Sequence, residues 1–110
     1  MDDCLFCKIS KGEIPAEFVY KDEQIVAFKD IKPSAPVHIL IVPRKHLASL
    51  DEVKTEDQQL LGKMLLVVQK IAQERGIAQS GYRLVINNGE GAGQVIPHLH
   101  LHLLGGKKFD

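Results

Sequence analysis

The chain has 110 residues, with 14 basic and 14 acidic side chains, and so carries no formal net charge when its histidines are neutral. This length predicts one domain with its own core, spanning residues 1–110, and the balanced charge gives no support for binding nucleic acid or an anionic membrane. No apolar run approaches the ~20 residues that span a bilayer, and two cysteines are too few for a disulfide framework. We therefore expect a cytoplasmic protein.

The N-terminal third predicts a short helix and a hairpin. A turn or helix at residues 5–11 ends at Gly12. Residues 17–21 and 24–29 are predicted strands, joined by a turn around residues 22–23.

A central strand and a long helix follow. Residues 37–42 are apolar except for His38, which is typical of a central strand covered on both faces. Residues 55–58 have the spacing of a capping box, and an amphipathic helix is predicted from there to Gly76. Its apolar stripe, expected to face the core, consists of Leu61, Met64, Leu65, Val68, Ile71 and Ala72.

The C-terminal third predicts two more strands. They lie at residues 82–87 and 98–104, and a glycine-rich turn at residues 89–93 precedes the second. Five strands with one long helix, mostly joined by short links, indicate an α+β domain with a five-stranded, largely antiparallel sheet.

The last predicted strand carries three histidines at alternate positions. Because a strand has period two, His98, His100 and His102 are expected to project from one face, with the leucines between them on the core face. One metal ion bound by all three fits poorly, since the outer pair lies ~13 Å apart along a strand, whereas zinc ligands lie ~2.0–2.1 Å from the ion. Separate roles fit better, with a central nucleophile and neighbours that orient it and move protons.

The pattern His-φ-His-φ-His-φ-φ, in which φ is apolar, matches residues 98–104 at every position. By this motif the chain resembles the histidine-triad family. Further blocks that resemble the family lie at residues 27–31, 35–46, 81–87 and 93–94. Residues 104–106, Leu-Gly-Gly, resemble the branch of nucleoside phosphoramidate hydrolases, often called Hint-like. The resemblance implies the histidine-triad fold and a homodimer in which two sheets join, with the helix at 55–75 and its adjoining strand contributing.

The resemblance also implies a hydrolase of purine nucleoside 5′-phosphoramidates. In such enzymes the central histidine, here His100, attacks the α-phosphorus and forms a nucleotidyl-histidine, which water hydrolyses to nucleoside monophosphate. Neutral imidazole suits this role, since much of it is unprotonated near pH 7. His102 would bind phosphoryl oxygens or pass a proton to the leaving group. The resemblance also includes His98 among the catalytic histidines. Taken alone, His38 is more typical of a core histidine. The resemblance implies instead that it lies on a neighbouring strand and completes a polar cluster with the triad histidines.

The substrate-binding residues are likewise implied by the resemblance. The glycine-rich turn lacks the Lys-Ser/Thr ending of a P-loop and on its own reads as a simple turn; by resemblance it is a phosphate loop, whose glycines let backbone N–H groups approach an anion. Asn87 and Gln94 would hydrogen-bond to the phosphate or leaving group, and Asp30 would accept the ribose hydroxyls. The other predicted contacts, of which the phenylalanines are equally suited to a core, are Phe6, Phe28, Ile31, Gly93 and Val95.

One position departs from the family pattern. After Gly93 and Gln94, Hint-like enzymes usually have serine or threonine, whose hydroxyl can hydrogen-bond to the phosphate or leaving-group nitrogen. This chain has Val95, which offers no hydrogen bond. We therefore expect weaker stabilisation of a departing amine.

Cys4 and Cys7 have the Cys-x-x-Cys spacing that lets two thiolates bind one tetrahedral zinc. Some histidine-triad relatives, and the related uridylyltransferases, take two further ligands from histidines like His46 and His98. Such a zinc would be structural, connecting the N-terminus to the triad and fixing the ring of His98. Free reduced thiols and a redox-active pair are the alternatives. No organic cofactor is expected.

Two other functions remain open on sequence grounds. Within the family, the alternative is a dinucleoside polyphosphate hydrolase, which Gly105 and Gly106 disfavour. Outside enzymes, the alternative is a nucleotide- or zinc-binding interaction module, against which the intact His100 argues.

Overall fold

Five antiparallel strands and two helices make up the part of the chain that the computed structural model describes, residues 3–110. Residues 1–2 of the predicted domain lie outside the described residues. The helices are α1 (Leu5–Ser10) and α2 (Gln58–Glu74); the strands are β1 (Phe18–Lys21), β2 (Ile25–Lys29), β3 (Val37–Pro43), β4 (Tyr82–Val85) and β5 (Leu101–Gly105). The sheet order is β1-β2-β3-β5-β4, which confirms the predicted fold class. In the described part, neither helix is long and apolar enough to cross a membrane.

Strand β3 lies at the centre of the sheet, and both of its faces are covered, as predicted. One face packs against α2 and presents the strand residues Ile25, Ala27, Ile39, Ile41, Leu101 and Leu103. The other face packs against α1 and presents Val26, Phe28, Leu40 and Val42. Period-two alternation along each strand separates the two layers.

The same alternation places two histidines on the α1 face. His38 is two residues from Leu40 in β3 and therefore points to the same side. His102 in β5 pairs directly with Leu40, and paired residues of antiparallel strands share a face. The polar cluster thus forms on the side of the sheet away from the long helix.

Helix α2 buries a stripe close to the predicted one. Met64, Val68, Ile71 and Ala72 are buried, and Leu61 packs against them. The prediction was wrong for Leu65, which is 53% exposed, because the buried stripe turns through Val67 instead. The helix ends where predicted, since Gly76 takes the positive φ of 73° that glycine adopts without strain.

The start of α2 differs from the predicted capping box. Thr55–Asp57 forms a 3-10 turn, and the helix begins at Gln58. The reciprocal bond lies one residue earlier than predicted, because the Asp57 carboxylate accepts the N–H of Lys54 at 3.0 Å. That carboxylate also accepts a bond from Lys45 Nζ at 2.6 Å, which fixes it at this position.

The histidine segment is a strand only in its second half. Strand β5 begins at Leu101, so only His102 of the three lies in the strand. The prediction that all three histidines share one face is wrong for His98, whereas His100 lies on the α1 side beside His102. Just before β5, the N–H of Leu99 donates to Leu47 O at 2.7 Å. This bond diverts the backbone from the β3 ladder, and His98, which precedes it, points away from the other two histidines.

Candidate active site

A cavity of about 500 Å³ opens on the α1 face of the sheet. Of the residues predicted for the site, those lining it are Phe6, Phe28, Asp30, Ile31, His38, Asn87, Gly93, Val95, His100 and His102. His98 and Gln94 are not among its lining residues. The wall includes apolar residues that the sequence analysis missed, notably Leu40, Ile14 and Ile96. Leu40 could have been found, since it alternates with His38 on one strand face; the two isoleucines come from loops without a periodic signal.

His100 has its ring fixed by a backbone carbonyl. Its Nδ1 lies 2.7 Å from His98 O, and because a carbonyl only accepts, Nδ1 carries the proton and Nε2 the lone pair. Phe6 packs edge-on against the ring, with the centroids 5.0 Å apart. Burial lowers the pKa of His100, although the bond to His98 and the charge of Asp30 act in the opposite sense. The ring is therefore neutral near pH 7.

The free nitrogen of His100 is accessible from the cavity. No hydrogen-bond partner of His100 Nε2 occurs among the described residues, and in that part of the chain every buried side-chain nitrogen or oxygen has a partner. Nε2 is therefore not sealed in the core. A lone pair on a neutral, oriented imidazole is what nucleophilic attack requires.

His38, His102 and Asp30 form a polar cluster beside His100. His38 Nε2 lies 3.0 Å from His102 Nδ1 and 3.4 Å from Asp30 Oδ2. The other ring nitrogen of His38, Nδ1, accepts the backbone N–H of Ser34 at 3.0 Å. Burial lowers the pKa of His102, with help from the neighbouring His100 and His38 and against the charge of Asp30.

His98 points away from the cavity into a cluster with Cys4, Cys7 and His46. Four donor atoms of these residues lie within 4.8 Å of one another. Cys4 Sγ is 3.3 Å from His98 Nδ1, and Cys7 Sγ is 3.3 Å from His46 Nδ1. The two Nδ1 atoms are 3.2 Å apart, and Cys7 Sγ is 3.6 Å from His98 Nδ1.

These separations fit one tetrahedral zinc ion. With Zn–N near 2.0–2.1 Å and Zn–S near 2.3 Å, the donors of a tetrahedron lie about 3.3–3.8 Å apart. His98 Nε2 donates to Pro43 O at 2.7 Å, which leaves Nδ1 unprotonated and aimed at the cysteines. Both cysteines are free of a disulfide. Burial raises the pKa of Cys7, and the neighbouring Cys4 raises it further. A bound cation would lower this pKa again, because it favours the thiolate.

The glycine-rich loop is held in shape by Gln94. Its amide nitrogen donates to Ala48 O at 2.7 Å and to Ile96 O at 3.0 Å, and its oxygen accepts the N–H of Gly89 at 2.8 Å. Gly93 takes a φ of 91°, which few other residues tolerate. Gln94 therefore stabilises the loop through its side-chain hydrogen bonds, whereas the sequence predicted that it contacts the substrate directly.

Two apolar side chains stand at the mouth of the cavity. Ile31 is 91% exposed and Val95 is 84% exposed, although both line the cavity. Neither contributes to the core, so their exposed positions leave them available to a bound molecule.

Comparison with known proteins agrees with this fold. The family model described as "HIT domain" matches residues 11–109. The chain is 50% identical to "Protein HitA" of Neisseria gonorrhoeae, covering 96% of this chain and 97% of that protein. It is 45% identical to "Purine nucleoside phosphoramidase" of Escherichia coli strain K12, covering 96% and 89%.

A solved structure extends the similarity to three dimensions. It is that of a HIT family hydrolase from Legionella pneumophila Philadelphia 1, with a TM-score of 0.95 and 51% identity, covering 96% of this chain and 95% of the other. The match of sequence covers nearly the whole chain, and it includes the histidine segment, which contributes His100 and His102 to the cavity. The chain therefore belongs to the HIT domain family.

Proposed function

We propose that this chain is a hydrolase that cleaves purine nucleoside 5′-phosphoramidates through a nucleotidyl-histidine on His100. The observation that carries the proposal is the state of that residue. Its Nδ1 is held as a donor to His98 O, and its Nε2 is free at the cavity. The name of the 45% identical relative from Escherichia coli supports the choice of a P–N bond and a purine nucleoside.

The chemistry divides into two displacements. His100 Nε2 attacks the α-phosphorus, the P–N bond breaks, and the departing amine takes up a proton. Water then attacks the phosphorus of the nucleotidyl-histidine, which releases nucleoside monophosphate and restores the neutral imidazole. Covalent catalysis of this kind replaces one difficult step by two easier ones.

The cavity has the polarity that a nucleotide needs. Phe6, Phe28 and Leu40 offer an apolar wall for a base. Asp30 lies at the same cavity, where Oδ1 accepts the N–H of Lys32 at 2.8 Å and Oδ2 lies 3.4 Å from His38 Nε2. Each carboxylate oxygen can accept a second hydrogen bond, which a ribose hydroxyl would supply.

Asn87, at the same cavity, would bind the phosphate. In the glycine-rich loop the N–H groups of Gly89, Ala92, Gly93 and Gln94 already donate within the loop, so only those of Glu90 and Gly91 are left to approach an anion.

We also propose that Cys4, Cys7, His46 and His98 hold a structural zinc ion. The support is the fit of the donor distances to a tetrahedron and the hydrogen bond that turns His98 Nδ1 toward the cysteines. The ion would stay outside the chemical steps. His98 would connect it to the site, because the carbonyl of the same residue orients His100.

The reaction is tested by incubating the purified protein with adenosine phosphoramidate and measuring release of AMP. Mass spectrometry of the protein quenched with base, which preserves the acid-labile P–N bond, should detect an adenylyl group on the peptide that contains His100. Preferential cleavage of a dinucleoside polyphosphate would favour the other hydrolase of the family. Binding of AMP with no turnover of either compound would favour an interaction module.

The position of Val95 predicts a slow reaction with poor leaving groups. Val95→Ser should raise the rate most for amines that leave poorly, because a hydroxyl adds a hydrogen bond where valine has none. The gain should be smaller than the ~10²–10³-fold that one transition-state donor can contribute, since His102 and Asn87 remain. Rates for a series of amine leaving groups provide the measurement.

Val95→Ala is the matched control, since it shortens the side chain without adding a hydroxyl. An equal rate change in both variants would make Val95 a wall of the cavity with no bearing on the leaving group. So would a Val95→Ser rate that is unchanged across the series.

An exposed apolar surface supports the proposal of a homodimer. Strand β4 is an edge of the sheet, and it presents Tyr82 and Leu84 to solvent. Leu65 and Leu66 of α2 are also exposed, at 53% and 65%. A second copy could cover both the sheet edge and the helix residues, which would otherwise be open to non-specific pairing.

We expect the chain to have twice its monomer mass in solution at micromolar concentration. Leu66→Lys should shift it toward the monomer, since a charge buried in an interface without a partner is costly. Sedimentation analysis measures the mass, and circular dichroism checks that the variant is folded. A wild-type protein that is strictly monomeric would refute the proposed dimer.

A further inference from the structure

The backbone N–H of Ser34 determines which nitrogen of His38 carries the proton. It lies 3.0 Å from His38 Nδ1, and a peptide N–H can only donate. His38 Nδ1 must therefore be an acceptor, and the proton of the neutral ring must be on Nε2. If both nitrogens of the His38 ring were protonated, its Nδ1–H would point at the N–H of Ser34, and no hydrogen bond could form between them.

The position of the proton on His38 determines the position of the proton on His102. His38 Nε2–H lies 3.0 Å from His102 Nδ1, so His102 Nδ1 is the acceptor of that bond. The proton of a neutral His102 is then on Nε2. His102 Nε2 has no hydrogen-bond partner among the described residues. Because every buried side-chain nitrogen in that part of the chain has a partner, Nε2 is not buried and is accessible from the cavity that His102 lines.

We propose that the Ser34 N–H is a positioning group, which acts through His38 to make His102 a hydrogen-bond donor from Nε2 into the cavity. The inference deepens the proposed function and rests on it for its meaning: the acceptor would be a phosphoryl oxygen of the bound nucleotide. Ser34 and His38 then contribute by orienting His102, without touching the reacting atoms.

The ring state of His102 decides between the two roles that its position in the motif left open, binding the phosphoryl oxygen and passing a proton to the leaving group. A neutral imidazole can donate a hydrogen bond from Nε2, but releasing that proton would leave an unfavourable imidazolate. Since the pKa of His102 is lowered, the ring is neutral near pH 7. His102 therefore binds the phosphoryl oxygen and stabilises its charge. The departing amine takes its proton from solvent, and the water that then attacks the nucleotidyl-histidine returns a proton to solvent.

The same three side chains have the separations of a metal site, which the Ser34 bond disfavours. One oxygen of Asp30 and one nitrogen of each histidine lie within 4.8 Å of one another. An ion there would need the lone pair of His38 Nε2 while Nδ1 already accepts from Ser34. A neutral imidazole has only one unprotonated nitrogen, so the ion would have to break the bond to Ser34.

Nitrogen NMR of the free protein tests the inference directly. In protein labelled with ¹⁵N-histidine at neutral pH, ring proton–nitrogen correlation spectra distinguish protonated from unprotonated nitrogens. We expect both His38 and His102 to carry the proton on Nε2 alone. A proton on Nδ1 of either ring, or an even mixture of the two forms in His102, would overturn the proposal. The measurement needs no turnover, so absence of hydrolysis with these protonation states intact would count only against the proposed function.

Two substitutions at Ser34 test its N–H. Ser34→Pro removes the donor, whereas Ser34→Ala keeps it and removes only the hydroxyl. We expect His102 to become a mixture of both ring forms in Ser34→Pro and to keep the Nε2 form in Ser34→Ala. Turnover of the proline variant should be about 5- to 10-fold below that of the alanine variant. Identical ring forms and rates in the two variants would overturn the role of Ser34, and if the proline variant fails to fold, the wild-type spectra decide.

Discussion

Replacing His100 with alanine should lower turnover of adenosine phosphoramidate by at least about 10³-fold, because the variant loses the atom that attacks phosphorus. The cavity, Asn87 and Asp30 remain, so affinity for AMP should fall much less than the rate. Turnover is measured as release of AMP, and affinity by calorimetric titration with AMP. No adenylyl group should be detectable on the quenched variant.

The fold of this variant needs its own check, because His100 is buried and packs against Phe6. His100→Gln is the matched variant, since it fills more of the space and still lacks a nucleophilic ring nitrogen. Both variants should show the wild-type circular dichroism and lose turnover together. Hydrolysis near the wild-type rate in either folded variant would refute the nucleotidyl-histidine.

The sheet could be predicted from the sequence because its signals are local. Alternating or continuous apolar runs marked all five strands, and the apolar stripe marked α2. The central position of β3 followed from its apolar character on both faces, and it places His38 on the cavity side. The errors lie at ends of elements, as at Thr55 and in the first half of the histidine segment, where a single long-range bond decides the conformation.

The residue types of the site were also predictable, whereas the state of each ring was not. In three of the rings a main-chain group determines which nitrogen carries the proton. Pro43 O accepts from His98, the carbonyl of His98 accepts from His100, and the Ser34 N–H donates to His38. Main-chain groups have no residue identity, and folding brings them from loops and strand ends. The sequence therefore gave no signal for Ser34 or Pro43.

The different directions of the histidines follow from the end of the ladder. A straight strand would have aimed all three rings at one surface and left the cysteines with the nitrogen of His46 but without that of His98. Because β5 begins only at Leu101, His98 turns to Cys4 and Cys7 while His100 remains at the cavity. One short segment thus connects the candidate metal cluster to the candidate nucleophile.

The second large effect is expected at that cluster. Protein purified without chelator should carry about one zinc per chain, and Cys4→Ser should abolish it, because serine is a poor ligand for zinc compared with a thiolate. An ion present at 100 times its dissociation constant stabilises the folded state by about 2.7 kcal/mol, which corresponds to a fall of roughly 10 °C or more in Tm when it is lost. Metal analysis and thermal unfolding measure the two effects.

A matched control separates loss of metal from damage to α1. Ser10→Ala removes the bond that Ser10 Oγ donates to Cys7 O within the same helix, but it leaves all four donor atoms in place. This variant should keep its zinc and lose little stability, and chelator should lower its Tm as it lowers that of the wild type. Turnover should change less in Cys4→Ser than in His100→Ala, because the ion would hold His98 without taking part in the displacements. Wild-type protein prepared under reducing, zinc-supplemented conditions and found to contain no zinc would return Cys4 and Cys7 to the role of free thiols.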